Sequence, residues 1–338
     1  MNDEIRKQAE NFIKSIGKGD RVAIITDHDP DGYTSGVLFY DYCLRVGARP
    51  EQFTHTNGIS TLEDFVLEDF DKIITTDKPA KFVYELFEKY RDKEILFMDH
   101  HPSDAKLPDG VIEYRTMYRG YIPSARSTYE LCGGKIWIAL SGMISDVADR
   151  YSENDEFIRG ALEEIGMDLN GFKDKVAYEI SNCILFLDDE PTKAFSLIQK
   201  LESIDDVATL SKYSGPIKKE VGGLVRSFER DKEDLGGAYF YYFEPLLNVK
   251  PVVTARISLD PNNVDKILIF ASPKGEDKIS ISARSQTKRM DMAELLRAGI
   301  NGLESANAGG HFAASGAAFL KGDLEKFKDN LRERLKRD

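Results

Sequence analysis

Residues 22–32 read Val-Ala-Ile-Ile-Thr-Asp-His-Asp-Pro-Asp-Gly, a short apolar run followed at once by three carboxylates at alternate positions. The same join, an apolar run followed by acidic or imidazole side chains, recurs at residues 73–77 and 95–101. Helix-like stretches separate the runs, at residues 34–46 and 79–90. Continuous apolar runs that alternate with helices are typical of parallel strands covered on both faces. We therefore expect a doubly wound α/β domain.

The polar side chains that follow these runs are expected to meet, because open α/β sheets bind ligands at the carboxyl edge of their strands. They are Asp27, Asp29, Asp31, Asp77, Asp99, His100 and His101. Asp146 lies in an otherwise apolar helical stretch, residues 135–148, where a carboxylate without a partner is costly. Several carboxylates with one or two imidazoles suit Mn²⁺ or Mg²⁺ better than thiolate-seeking metals.

The first motif has two other interpretations. Its Asp-x-Asp-x-Asp-Gly pattern also opens calcium loops, but Leu38 stands where the bidentate Glu belongs, and Pro30 lies inside the loop. An acidic turn in solvent is the second alternative, and for a single motif it is the commoner one. The recurrence of acidic and imidazole side chains after separate strands favours a functional site.

The second half of the chain changes character near residue 236. Residues 151–233 are helical and charged, whereas strand-like runs appear at 238–243, 266–270 and 278–283. Helices are predicted at residues 291–298 and 324–336. Another helical stretch is predicted directly after Gly309-Gly310, and in the first half of the chain a capping-box pattern predicts a helix that begins at Ser127. The domains predicted are residues 1–200 as the main α/β domain, 201–235 as a helical connecting arm, and 236–338 as a smaller α/β domain.

Composition narrows the class of protein. The 338 residues carry 46 basic and 58 acidic side chains, a net charge of −12, which argues against a protein held on nucleic acid by bulk electrostatics. No apolar run is long enough for a membrane helix, and the first residues lack the apolar centre of a signal peptide. The three cysteines are far apart, which disfavours a disulfide scaffold or a thiolate zinc site. We expect a cytoplasmic protein without membrane contact.

Six motifs in order resemble the DHH phosphoesterases with a DHH-associated domain. The motifs are Asp27-x-Asp29-x-Asp31-Gly32, Asp77, Asp99-His100-His101, Ser145-Asp146, Ser282-Ala-Arg284-Ser285 and Gly309-Gly310-His311-Phe-Ala-Ala-Ser-Gly316. The form of the first motif is similar to that of RecJ-type exonucleases. The chain is too short for the extra nucleic-acid-binding barrel of bacterial RecJ, and it looks more like the compact archaeal RecJ-like nucleases.

The resemblance implies a two-metal site, usually with Mn²⁺ and with Mg²⁺ as an alternative. It implies that the metal ligands are Asp27, Asp29, Asp31, Asp77, His100 and Asp146. His101 would act at the substrate phosphate, and Asp99 would orient the histidine pair. The ion that each of Asp27 and Asp29 binds is left open.

The second domain is expected to bind substrate. Residues 278–289 contain Arg284 and no acidic residue, and an arginine fork can grip a phosphate. The resemblance adds Ser285, Gly309, Gly310 and His311 to this group. On the residues alone, a tight turn before a packed Ala-rich helix explains the glycines equally well.

The leading functional hypothesis is a Mn²⁺-dependent exonuclease on single-stranded DNA or RNA, with 3′→5′ polarity favoured by the resemblance. Its class implies a role in DNA replication or repair, with GINS or a repair helicase as partners. The alternatives are a nano-RNase or cyclic-dinucleotide phosphodiesterase, and an inactive Cdc45-like replication scaffold. The intact acidic and imidazole positions argue against an inactive protein.

Overall fold

The computed structural model describes residues 2–54, 64–117 and 120–336. The chain divides into two compact units, Met1–Gly215 and Pro216–Asp338. His55, which belongs to none of the six motifs, lies outside the described residues. No helix in the described ranges has both the length and the apolar character needed to cross a bilayer.

The first unit is built on a parallel sheet of five strands in the order β2-β1-β3-β4-β5. The strands are β1 (Arg21–Thr26), β2 (Arg49–Thr54), β3 (Lys72–Thr76), β4 (Glu94–Asp99) and β5 (Ile112–Arg115). The helices are α1 (Asn2–Ser15), α2 (Pro30–Arg45), α3 (Ala80–Lys89), α4 (Ser124–Cys132), α5 (Ile136–Ser145), α6 (Asp155–Ile165), α7 (Leu169–Phe172), α8 (Tyr178–Phe186), α9 (Pro191–Gln199) and α10 (Ser211–Asp231), which extends into the second unit.

Both faces of this sheet are covered. Val22 and Ile24 of β1 pack with α1 and with Phe39 of α2, whereas Ala23 and Ile25 pack with α3 on the opposite face. Adjacent residues of one strand thus serve two cores, which explains why the central strands read as continuous apolar runs. The predicted doubly wound α/β domain is confirmed. The sequence did not reveal β2 and β5, because both are edge strands with polar, half-exposed residues.

The beginning of α4 differs from its predicted position. The capping-box pattern placed it at Ser127, but the helix begins at Ser124 and Ser127 is buried within it. At the other end of the same region, α5 ends at Ser145, so that Asp146 caps the helix rather than lying inside it. The terminal position of Asp146 frees its side chain from the apolar packing of α5.

The second unit contains a mixed sheet in the order β10-β11-β9-β8-β7-β6. Its strands are β6 (Glu233–Asp234), β7 (Tyr239–Tyr242), β8 (Ile267–Lys274), β9 (Lys278–Ser285), β10 (Asn307–Gly310) and β11 (Ala314–Leu320). Its helices are α11 (Lys250–Leu259), α12 (Met292–Gly299) and α13 (Leu324–Leu335), of which α12 and α13 pack on one face of the sheet. The smaller α/β domain is confirmed.

The prediction of a helix after Gly309-Gly310 is wrong. Residues 314–320 form strand β11, which pairs antiparallel with β9 and with β10. Gly310 has φ 138°, and a Cβ there would lie 2.6 Å from the Cα of Ser315. The glycine therefore permits a tight hairpin, and no helix N-terminus is present at this point to bind an anion.

Candidate metal centre

The register of the parallel sheet aligns the strand ends of the first unit. Thr26 of β1 pairs with Thr76 of β3, and Thr76 pairs with Met98 of β4. The residues that follow these three paired positions are Asp27, Asp77 and Asp99, which therefore lie at the same carboxyl edge of the sheet. These motifs are separate in the sequence and lie together in the structure.

His100 lies at the centre of the acidic group. Its Nε2 is 3.1 Å from Oδ1 of Asp77, 3.6 Å from Oδ2 of Asp146 and 4.0 Å from Oδ2 of Asp31. The ligand atoms of Asp31, His100 and Asp146 lie within 4.8 Å of one another, as do those of Asp77, His100 and His101. This spacing allows one cation to be held by several of these side chains at once.

Asp31 is fixed from a helix distant in sequence. Its Oδ2 accepts the backbone N–H of Ser124 at 2.7 Å, and its Oδ1 accepts that of Ala125 at 2.9 Å. These are the first residues of α4, whose N-terminal N–H groups need acceptors. The Ser124 hydroxyl also lies 3.2 Å from Oδ1 of Asp77, so that one helix start positions two carboxylates. Gly142 of α5 permits the close packing, since a Cβ there would lie 3.0 Å from Oδ1 of Asp31.

Three carboxyl groups of the centre have raised pKa values. Burial, together with neighbouring carboxylates, raises the pKa of Asp31 and Asp77 well above the usual value. Burial is also the main reason that the pKa of Asp146 rises to about 7. Burial lowers the pKa of His100 to about 4, so that its imidazole is neutral and able to act as a ligand.

Three buried polar atoms of the candidate site residues have no hydrogen-bond partner among the described residues: Oδ2 of Asp77, Oδ2 of Asp99 and Nδ1 of His100. Buried carboxylates are stable when paired or bound to metal, and a hard divalent ion prefers oxygen ligands with an added imidazole. The residues present therefore fit a divalent cation such as Mn²⁺ or Mg²⁺.

Asp99 organises the histidine pair. Its Oδ1 accepts the backbone N–H groups of His100 and His101 at 2.9 and 3.2 Å and binds Nδ1 of His101 at 2.7 Å. The hydrogen bond to Asp99 raises the pKa of His101, whose side chain is 38% exposed. The two imidazoles thus differ: His100 is buried and neutral among the carboxylates, and His101 is accessible and favours the protonated form.

Asp27 and Asp29 have different surroundings. Asp29 caps α2 by accepting the N–H of Gly32 at 2.8 Å, and its charge contributes to the raised pKa of Asp77. Oδ1 of Asp27 binds Nδ1 of His28 at 2.8 Å and accepts a hydrogen bond from Nζ of Lys78 at 3.0 Å. Burial would raise the pKa of Asp27, but these two partners outweigh it and hold the pKa at about 2.

Three contributors were not found from the sequence: Ser124, Lys78 and Tyr121. The Tyr121 hydroxyl donates to Oδ2 of Asp146 at 2.8 Å, and its ring stacks on Tyr151 at 4.2 Å between centroids. Ser124 and Tyr121 belong to none of the motifs, so that only the fold reveals them. Lys78 directly follows Asp77, and that adjacency is a signal that sequence reasoning could have used.

The residues predicted to bind substrate lie in the second unit. Arg284 is half-buried on β9, and its Nη1 donates to the carbonyl of Ala283 at 2.9 Å. Ser285 is fully buried and, by strand alternation, faces away from Arg284. Gly309, Gly310 and His311 are exposed at the β10–β11 turn. The turn is thus accessible and Arg284 partly so, whereas the Ser285 side chain is buried.

Two family models match the chain, the DHH family N-terminal domain at residues 21–160 and the DHHA1 domain at residues 243–337. Together they account for well over half of the chain. The chain belongs to the DHH superfamily. No curated protein matches it in sequence.

Solved structures share this DHH fold. RecJ from Thermus thermophilus in complex with Mn²⁺ matches with a TM-score of 0.71 and 18% identity over 99% of this chain and 55% of RecJ, so that the chain spans about half the length of that protein. A second structure, exonuclease RecJ bound to manganese, matches with a TM-score of 0.70 and 18% identity over 99% of this chain and 94% of the other.

Two further solved structures share the fold at lower TM-scores. Cdc45 from Entamoeba histolytica matches with a TM-score of 0.57 and 10% identity, over 99% of this chain and 98% of that one. The pGpG-specific phosphodiesterase PggH from Vibrio matches with a TM-score of 0.54 and 15% identity, over 94% and 99% of the two chains. At these identities the likeness shows the fold, and the activity has to be argued from the site.

Proposed function

We propose that this protein is a divalent-metal-dependent phosphodiester hydrolase that acts as a RecJ-like exonuclease on single-stranded DNA or RNA. The observation that carries the proposal is the group formed by Asp31, Asp77, His100 and Asp146. Its carboxylates are packed around one imidazole, and among the described residues none of them forms an ion pair with a lysine or arginine. Together with Asp27 and Asp29 they would hold two ions, Mn²⁺ by preference and Mg²⁺ as the alternative.

Divalent ions at such a site supply electrostatic stabilisation of a phosphoryl group and activate water for attack. The protein's part is to fix the ligands and to place His101 beside them. His101 is held by Asp99 at 2.7 Å and has a raised pKa, so that it can present a positive charge to a phosphate oxygen. Asp99 positions this histidine and does not itself touch the substrate.

In this proposal the second unit binds substrate phosphates. Arg284, Gly309, Gly310 and His311 are its candidate contacts, because Arg284 offers a fork of donors and the glycines leave the backbone accessible. The buried Ser285 would act only by supporting the loop, where its hydroxyl accepts the N–H of Arg289 at 3.1 Å. The domains would be residues 1–200, an arm at 201–235 and residues 236–338.

By resemblance to the compact archaeal RecJ-like nucleases, we further propose cytoplasmic action in DNA replication or repair, with 3′→5′ polarity and with GINS or a repair helicase as a partner. A phosphodiesterase for short or cyclic dinucleotides is the second candidate. It is favoured by the similarity over nearly the full length of both chains to the pGpG-specific enzyme and by the net charge of −12. The complete ligand group favours both enzymes over an inactive Cdc45-like scaffold.

The deciding experiment compares four substrates with Mn²⁺, Mg²⁺ or EDTA: an end-labelled single-stranded DNA, the matching RNA, a linear dinucleotide and a cyclic dinucleotide. We expect stepwise release of mononucleotides from the single strands with Mn²⁺ and none with EDTA. Asp77→Ala is the control for contaminating nuclease, since Asp77 contacts His100 and the Ser124 hydroxyl in the group. Cleavage of dinucleotides alone would select the second candidate, and no metal-dependent cleavage of any substrate would contradict both.

A further inference from the structure

Lys78 is a buried lysine at the carboxyl edge of the first unit's sheet. Its side chain is 3% exposed, and its Nζ lies 3.0 Å from Oδ1 of Asp27. Lysine is almost never fully buried without a partner, because the ammonium loses its hydration. Among the described residues, Asp27 is the carboxylate that pairs with it. The ammonium also lies over the ring of Phe82, at 5.4 Å from the centroid.

The backbone explains how the lysine reaches this carboxylate. Asp77 has φ 60°, in the left-handed region, and its N–H donates to the carbonyl of Met98 at 3.0 Å. After this turn the two adjacent side chains diverge. Asp77 contacts His100 at 3.1 Å, whereas Lys78 contacts Asp27. One turn thus delivers a carboxylate to one part of the centre and a cation to another.

The candidate metal ligands are therefore not equivalent. Asp31, Asp77 and Asp146 form no ion pair with a lysine or arginine among the described residues, and the nearest basic group to all three is the imidazole of His100. Asp27 already has the Lys78 ammonium and the His28 imidazole on the same oxygen. A divalent ion that binds Asp27 either displaces the Lys78 ammonium from this carboxylate or is repelled by its positive charge.

We propose, on the basis of the metal-dependent function proposed above, that Lys78 is a built-in cation that competes with a divalent ion for Asp27. The protein then binds one ion tightly, through Asp31, Asp77, His100 and Asp146, and a second ion only weakly, at a position that needs Asp27 together with Asp29. Occupancy of the second position depends on the free metal concentration, and Lys78 sets the concentration required.

Mn²⁺ binding isotherms, measured by calorimetry and by the spin resonance of free Mn²⁺, test the proposal without reference to activity. We expect the wild type to bind one ion tightly and a second at least about tenfold more weakly, the scale of one charge-assisted hydrogen bond. Lys78→Met should tighten the second ion at least about tenfold. Lys81→Met is the matched control, because Lys81 is exposed, lies over the same Phe82 ring and pairs with no carboxylate among the described residues.

Two further variants make the test specific. Lys78→Arg keeps the charge and should retain the weak second ion. The double variant Lys78→Met with Asp27→Asn should lose the gain, because the gain depends on the freed carboxylate. Asp27→Asn alone should leave the tight ion unchanged. Thermal unfolding in EDTA identifies a variant that does not fold, and Lys78→Gln then replaces Lys78→Met.

The outcomes separate this proposal from the metal-centre proposal. A wild type that binds no ion tightly contradicts the metal centre itself. Two equally tight ions in the wild type, or an unchanged second ion in the folded Lys78 variant, contradict the role of Lys78 alone. Loss of the tight ion in Asp27→Asn would place Asp27 among the tight ligands and would also overturn it.

Discussion

The hydroxyl of Tyr121 donates a 2.8 Å hydrogen bond to Oδ2 of Asp146, while the edge of its ring meets His100 at 5.3 Å between centroids. One aromatic side chain thus supports two candidate ligands from outside the group. The bond lowers the pKa of Asp146 against the stronger effect of burial. Tyr121 therefore favours the ionised carboxylate that a metal requires.

Replacing this tyrosine tests its supporting role. Tyr121→Phe keeps the ring and removes the hydroxyl, so we expect Mn²⁺ affinity to fall about tenfold and to recover as pH rises. Calorimetric titration at pH 6 and pH 8 measures both effects. Tyr151→Phe is the control, because it keeps the aromatic stack and removes a hydroxyl that forms no hydrogen bond to the described ligands. Equal affinities in wild type and Tyr121→Phe would contradict the assignment.

The two adjacent histidines should give different phenotypes. His100→Ala removes the imidazole at 3.1 Å from Asp77 and should reduce bound metal, whereas His101→Ala should retain at least one ion and lower single-turnover rates about a hundredfold or more. Metal content by mass spectrometry, measured beside those rates, separates the roles. Equal metal loss in both variants would contradict the division, and greater loss in His101→Ala would reverse it.

Metal binding should be coupled to proton release. Asp31, Asp77 and Asp146 have raised pKa values in the metal-free fold, so that the folded state holds protons that the unfolded chain has already lost above about pH 4. These groups therefore make the metal-free fold less stable as pH rises toward about 7. A bound cation removes this loss.

The rise in melting temperature caused by saturating Mn²⁺ should accordingly grow between pH 5 and pH 7 and then level off. Differential scanning calorimetry with and without metal measures it, and titration in two buffers of different ionisation enthalpy counts the protons released. A stabilisation by Mn²⁺ that does not change with pH would mean that the carboxyl groups are ionised before the metal binds.

Arg284 should affect substrate binding and leave metal binding unchanged. Arg284→Ala is expected to raise KM for single-stranded nucleic acid about tenfold, because a charge-assisted contact is lost, while bound Mn²⁺ stays the same. Arg289→Ala is a suitable control from the same acid-free stretch, since Nη1 of Arg289 already donates to the carbonyl of Asp265. An unchanged KM on every cleaved substrate would remove Arg284 from the binding surface.

The sequence was informative where structure is determined locally. The central strands and the carboxylates after them could be predicted, because a doubly covered strand has to be apolar throughout and its polar residues begin where it ends. The start of α4 could not be predicted from Ser127. Its first N–H groups are capped by Asp31, 93 residues away at Ser124, and such a cap leaves no local pattern.

The second unit shows the other limit of sequence reasoning. The Ala-rich segment after Gly310 has helical propensity, but its residues alternate between buried and half-exposed along β11, and pairing with β9 fixes it as a strand. Strands β2 and β5 were not predicted because they lie at the edges of the five-stranded sheet. Each pairs with a single neighbouring strand and is only partly covered, so its residues need not be apolar. In each of these cases, hydrogen bonding to a strand from another part of the chain determines the secondary structure.

The left-handed backbone of Asp77 has a consequence for the protein's evolution and engineering. At φ 60° glycine is the unstrained residue, yet the position carries an aspartate. Selection for thermal stability alone would favour glycine in place of Asp77, and this replacement would remove the carboxylate from the metal centre. Asp77→Gly should therefore yield a metal-free protein that melts higher than Asp77→Ala. A stability-based redesign of this chain has to hold that position fixed.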